Sequence, residues 1–213
     1  MSKIFILFLY SISFIYINAQ SIGDTLFYSV SRSDSNLHVV FIEKPLSNYH
    51  KMVFDILWSD SGSYESKLKQ LSYKYKNKKL HIKKHIIGDW ISVYSYNRKN
   101  FVYYPSEPYA NLFIKVTDST VVMNNFNDGL MPYWISSLSN KKHQLRLNLI
   151  SISGEKCYLL FRIKSDSTVG ISSSLFNKKK ISLISKEFFF ELPIIVNLCP
   201  YNRCEEFNFK TTN

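Results

Sequence analysis

Leu145-Arg146-Leu147-Asn148-Leu149 and Cys157-Tyr158-Leu159-Leu160-Phe161-Arg162-Ile163 decide the fold. In the first stretch every second residue is leucine. In the second, Cys157, Leu159, Phe161 and Ile163 alternate with Tyr158, Leu160, Arg162 and Lys164. A period of two places one set on each face of a pleated strand, so both stretches read as half-buried β-strands. The pattern recurs at Leu112, Ile114 and Val116, and at Leu71, Tyr73 and Tyr75. Less regular strand candidates fall at 26–31, 37–43, 51–58, 80–85, 90–96, 100–104, 120–124, 181–185, 188–192 and 194–198. About a dozen short strands at this spacing predict an all-β protein, an antiparallel β-sandwich or barrel.

Composition agrees. Tyr and Phe number 15 and 16 of 213 residues, while the best helix former, alanine, occurs only at Ala19 and Ala110. Helix is expected to be minor, at 63–71 and, behind Pro132, at 132–138, where Trp134, Ile135 and Leu138 would form the apolar stripe. Glycine is scarce, so turns fall to Asp, Asn and Ser. Asp118-Ser119-Thr120-Val121 and Asp166-Ser167-Thr168-Val169 repeat one turn sequence, read as two ordinary hairpins sharing a turn type.

Residues 1–19 read as a secretory signal peptide cleaved after Ala19. Lys3 is followed by an apolar run over 4–17, too short for a bilayer span of ~20 residues, and by the small-residue end Asn18-Ala19-Gln20. An uncleaved anchor is the alternative. Residues 20–213 are expected to form one β-rich domain, with a soft boundary near 88 as the other division. The expected location is outside the cytosol, extracellular or periplasmic. There Cys199 and Cys204, flanking Pro200-Tyr201-Asn202-Arg203, are placed to close a hairpin as a disulfide, with two free thiols as the alternative. Cys157 reads as a buried thiol.

No G-x-S-x-G elbow, phosphate-cradling G-x-x-x-x-G-K or G-x-G-x-x-G is present, so no catalytic residue is expected and the chain is read as a non-enzyme. His81 and His85 on a strand would stand ~13 Å apart, too far to share a metal. His38, His50 and His143 are isolated. Asp89 and Glu107 are conceivable acid/base groups without a visible partner. No cofactor is implied.

The charge is +11, and it is uneven. Lys67, Lys69, Lys74, Lys76, Lys78, Lys79, Lys83 and Lys84 lie in one stretch without an acid. With Leu71, Tyr73 and Tyr75 facing inward, Lys74, Lys76, His81, Lys83 and His85 would share the outer face of a basic hairpin. Such a ribbon attracts anionic glycan, lipopolysaccharide or acidic protein, or merely keeps an edge soluble. Nucleic acid is disfavoured, because arginine, the better base reader, is rare. Removing these eight lysines and Lys3 leaves only +2, so any electrostatic function is expected in the hairpin. The aromatics Trp90, Tyr103, Tyr104 and Tyr109 are the candidate platform for a sugar or peptide, with core packing as the other reading.

Gly88-Asp89-Trp90 carries the G-x-W of the first lipocalin strand, and on those residues the chain resembles lipocalins. The resemblance implies a barrel around an apolar cavity. Three functions follow: a binding module for an anionic or carbohydrate ligand, a structural or interaction protein of the envelope, and a lipocalin-like carrier. The oligomeric state is not legible.

Overall fold

The computed structural model describes residues 25–30, 37–58, 61–75, 80–82, 84–106, 111–125, 129–176, 179–199 and 204–209. The signal-peptide expectation lies outside them. Among the described residues twelve strands are present: β1 Thr25–Val30, β2 Leu37–Glu43, β3 Gly88–Tyr96, β4 Lys99–Tyr104, β5 Phe113–Val116, β6 Thr120–Asn125, β7 Gly129–Lys141, β8 Gln144–Ile150, β9 Lys156–Ile163, β10 Thr168–Ser173, β11 Ile181–Ser185 and β12 Ile194–Leu198. Three α-helices accompany them among the same residues: α1 Asn48–Trp58, α2 Ser61–Lys74 and α3 Lys186–Phe189. The protein is all-β in class, as its alternation predicts.

Strands β5 to β11 form an antiparallel meander, and β3 closes it by pairing with β11 on one side and β5 on the other. The result is an eight-stranded closed barrel. Past Ile91, β3 continues out of the β5 pairing and takes β4 as its neighbour through the Asn97-Arg98 turn, where both residues have positive φ. From β4 a flange extends in the order β4-β12-β2-β1, in which β12 runs parallel to β4. One strand therefore belongs to both parts of the sheet.

An eight-stranded barrel is just wide enough for side chains to fill it. Here Trp90, Ile114, Val121, Met123, Tyr133, Leu145, Leu147, Leu159, Phe161, Ile171 and Leu183 meet in one buried cluster, to which Ile82 and Ile86 add from the segment before β3. This packing argues against the carrier reading and its apolar cavity. A second cluster lies on the outer wall of β3, β5, β6 and β11. There Ile91, Phe113, Val122 and Ile184 pack against Val39, Phe41, Val102, Ile194 and Val196 of the flange and against Tyr49, Val53 and Phe54 of α1. The far face of the flange (Val40, Phe101, Tyr103 and Ile195) is covered by Phe207 and Phe209 of the C-terminal segment. One side of the barrel wall is thus buried, while the opposite side is open at the outward residues of β8, half-buried at those of β9 and buried along β10.

Several local expectations are corrected. The 51–58 run is helix, because Tyr49 and Val53 are four apart and bury one stripe. Residues 71–75 are not a strand. Leu71 closes a helical stripe with Tyr64 and Leu68, spaced i, i+4, i+7, while Tyr73 is 93% exposed. Residues 80–82 form no strand, and 84–86 make a single 3-10 turn. Residues 188–192 are likewise not a strand: α3 begins before them and buries Phe189. Conversely, 132–138 is strand. An irregularity between Ile135 and Ser137 shifts the register, so Ile135 and Leu138 both turn inward at a helix-like spacing of three. Pro132 is tolerated there. The Ile135 N–H points to Ser119 O at 2.9 Å, so the alternate Pro132 nitrogen points away from β6, toward a side where β8 pairing has not begun.

The repeated turn is built the same way twice. Thr120 N–H donates to Thr117 Oγ1 at 2.9 Å, and Thr168 N–H to Ser165 Oγ at 3.1 Å. The disulfide Cys199–Cys204 is formed, with Cα atoms 5.8 Å apart. Cys157 is a free, half-buried thiol whose pKa burial pushes up to about 11.

His50 is a fully buried polar core residue on α1. Its Nε2–H donates to Leu192 O at 2.8 Å, and Ser47 Oγ–H donates to Nδ1 at 3.1 Å. Burial holds its pKa below the ordinary imidazole value. Below about pH 6.5 the unfolded chain therefore takes up a proton that the folded ring refuses. Stability contributed by neutral His50 is present above that pH and falls as the solution is acidified. In His50→Gln the decline in urea midpoint between pH 7 and pH 5 is expected to be shallower than in the parent. Equal slopes would show that His50 is not its source.

Candidate functional site

Those of the candidate ligand residues that the structure describes are not brought together. Trp90 is buried inside the barrel and its Nε1–H donates to Ile86 O at 2.9 Å. Tyr103 is buried in the flange, and its hydroxyl lies in a polar network. Tyr104, next on β4, turns to the opposite face and meets the Tyr49 ring edge-on at 5.3 Å. These three aromatics are packing residues on three separate surfaces and form no platform. Tyr109, Glu107, Lys76, Lys78, Lys79 and Lys83 lie outside the described residues. His81 and His85 are exposed, one in irregular chain and one in the 3-10 turn. Asp89, the other acid/base candidate, has Lys115 Nζ at 3.9 Å and an otherwise unbonded buried Oδ1.

The described part of the basic segment shows no hairpin. Its first half is the C-terminal part of α2, where Lys69, Gln70, Tyr73 and Lys74 face an open hollow shared with Ile152 of the β8–β9 turn. Lys74 Nζ donates to Ile152 O at 2.9 Å. Tyr75, just after the helix, stacks on Trp134 at 6.3 Å between ring centroids. Lysine and tyrosine are thus displayed together, but from a helix end and not a strand face.

A second cationic surface is built on the barrel wall. The inward parity of Leu145 and Leu147 forces Gln144, Arg146 and Asn148 outward, and that of Leu159 and Phe161 forces Tyr158, Leu160 and Arg162 outward. Pairing aligns Lys141, Gln144, Arg162 and Gly170 in one row across β7 to β10, and Ser139, Arg146, Leu160 and Ser172 in the next. Every polar partner of these cations among the described residues is neutral. Arg146 Nε–H donates to Asn148 Oδ1 at 3.2 Å, and its guanidinium lies 4.4 Å over the Tyr158 ring. Arg162 donates to Ser172 Oγ at 3.4 Å, and Lys164 Nζ to Ser182 Oγ at 2.9 Å. No outward strand position of β8, β9 or β10 holds an acid; Glu155 and Asp166 sit in turns at the strand ends. Ser139, Lys141, Gln144, Arg146 and Leu160 line a hollow of 230 Å³ within this wall.

Oriented cations without counter-charges on rigid strands can hold an anion at little ordering cost. The sequence reading missed them because it counted charge by segment. The signal was present: two of the five arginines, Arg146 and Arg162, stand at the outward phase of the two most regular strands.

No family model matches the chain, and no curated protein matches it. A crystal structure of Treponema pallidum Tp0751 (pallilysin) is similar at 9% identity, over 66% of this chain and 98% of that one, with a TM-score of 0.34. So slight a likeness carries no argument about function. Among the described residues no helix is long and apolar enough to cross a membrane.

Proposed function

We propose that the protein is a non-catalytic binding module for an anionic or carbohydrate ligand of the cell envelope or its surroundings, and that the barrel wall is its binding face. The observation that carries this reading is the wall itself: Lys141, Arg146 and Arg162 on adjacent strands and Lys164 just past β9, the last three with hydroxyl, amide or aromatic partners and, among the described residues, no carboxylate. The Lys69–Tyr73–Lys74 end of α2 is a secondary candidate.

Heparin affinity tests it. The parent is expected to elute at higher salt than a control protein of equal net charge. Arg146→Glu/Arg162→Glu should weaken heparin binding at least ~10-fold, since each charge-assisted contact is worth more than 1 kcal/mol. Elution of parent and variant together, no later than the control, would sink the proposal. A loss on Lys74→Glu instead would move the face to α2.

The envelope-interaction reading has one observation in its favour. Among the described residues β1 pairs with β2 alone and stands at the end of the sheet. A strict monomer that captures no crosslinked neighbour would count against it.

A further inference from the structure

Resting on that reading of the wall, we infer that its ligand is a linear acidic polysaccharide that runs across the strands. Three features carry this.

First, the cations form a line and do not converge. Lys141 and Arg162 share a row two strands apart, ~10 Å by strand spacing, and Arg146 stands diagonally from Arg162 on the neighbouring strand, ~7 Å away. Lys164 extends the line. Its Cε passes 3.4 Å from where a β-carbon on Gly170 would stand, and its Nζ reaches Ser182 on β11. From β7 to β11 the line spans four strand spacings, ~19 Å. A compact anion such as a single phosphate can engage only one or two of these groups. An extended polyanion can engage all four.

Second, the ground between the charges suits a sugar ring. The hollow beside Arg146 combines apolar Leu160 with Ser139 and Gln144. That gives an apolar surface for a ring face and hydroxyl and amide groups for its substituents.

Third, the wall lacks what other polyanions use. Single-stranded nucleic acid binds by stacking bases on free aromatic faces. The aromatic ring here, Tyr158, is covered by the Arg146 guanidinium. A membrane surface is held by basic residues beside inserted apolar side chains. Of the exposed large apolar residues, Leu175 adjoins the wall at the end of β10, while Leu46, Tyr73 and Phe188 lie elsewhere, so no apolar cluster flanks the cations.

The test titrates the full chain with fluorescent heparin fragments of rising length, from disaccharide to dodecasaccharide. Affinity should rise at least tenfold with length and then level off once the line is filled. Lys141→Glu and Lys164→Glu, at the two ends, should each lower affinity for long fragments and flatten its rise with length. Equally tight binding of a sulfated disaccharide or inorganic pyrophosphate would overturn the linear-polysaccharide inference and leave the anion-binding reading standing. Preference for oligo(dT) or phosphatidylglycerol vesicles over every heparin fragment would also overturn it, in favour of another class of partner. If no polyanion binds and Arg146→Glu/Arg162→Glu changes nothing, both fall together.

Discussion

Replacing Trp90 by alanine is expected to lower the free energy of unfolding by about 3–5 kcal/mol, the range for deleting a large buried aromatic. Trp90 is 2% exposed, and its ring fills the barrel where Ile82 and Ile86 close one end. Its indole N–H is bound to Ile86 O, so Trp90→Phe removes a hydrogen bond as well as volume and should fall between parent and alanine variant. Urea unfolding followed by circular dichroism measures both. Heparin affinity of the folded fraction should not change. A loss below 1 kcal/mol together with lost heparin binding would restore Trp90 as a ligand contact and refute its assignment to the core.

Asn197→Leu should cost about 2–4 kcal/mol, for a different reason. Asn197 is fully buried on β12 and sits at the centre of a polar network. Its Oδ1 accepts from His38 Nε2 at 2.6 Å, and its Nδ2 donates to Tyr103 OH at 3.0 Å and to Glu205 O at 3.1 Å. Tyr103 OH in turn donates to Glu206 Oε2 at 2.5 Å and accepts from Phe207 N–H at 2.9 Å, while Ser106 Oγ donates to Glu206 Oε1 at 2.6 Å. Burial first, then the Glu206 carboxylate, pushes the Tyr103 hydroxyl well above the ordinary phenol pKa. Leucine at 197 conserves volume but takes one hydrogen-bond partner each from His38 on β2, Tyr103 on β4 and Glu205 in the C-terminal segment, within a buried network where such losses are costly. Limited proteolysis should then cut beyond Cys204 faster than in the parent. Unchanged stability and unchanged cleavage would show that the network is not what holds that segment.

Strands whose two faces differ were legible from the sequence. The two alternating stretches at 145–149 and 157–163 lie in β8 and β9, and 37–43, 181–185 and 194–198 match β2, β11 and β12. What failed did so where one pattern imitates another over a short window. Leu71, Tyr73 and Tyr75 alternate, yet the longer spacing Tyr64, Leu68, Leu71 decides for helix. Ile135 and Leu138 imitate a helix because a bulge resets strand parity. Closure of the barrel was not legible at all. It depends on β3 finding β5 and β11, and no local periodicity encodes a pairing partner. The charged wall was lost to arithmetic: a remainder of +2 was read as near-neutral, but folding sorts charges by face.

The sharing of β3 has a consequence for how the chain reaches this state. β5 to β11 pair with their sequence neighbours, so each hairpin encloses a short loop and little chain entropy opposes it. β3 must then wait for β11, and β4 for β12, each about ninety residues downstream. Those late pairings set the contact order and should set the folding rate. Arg146 and Arg162 sit in the early, local part. The cationic face is therefore expected to take shape before the barrel has shut, with the flange and its C-terminal cover arriving last.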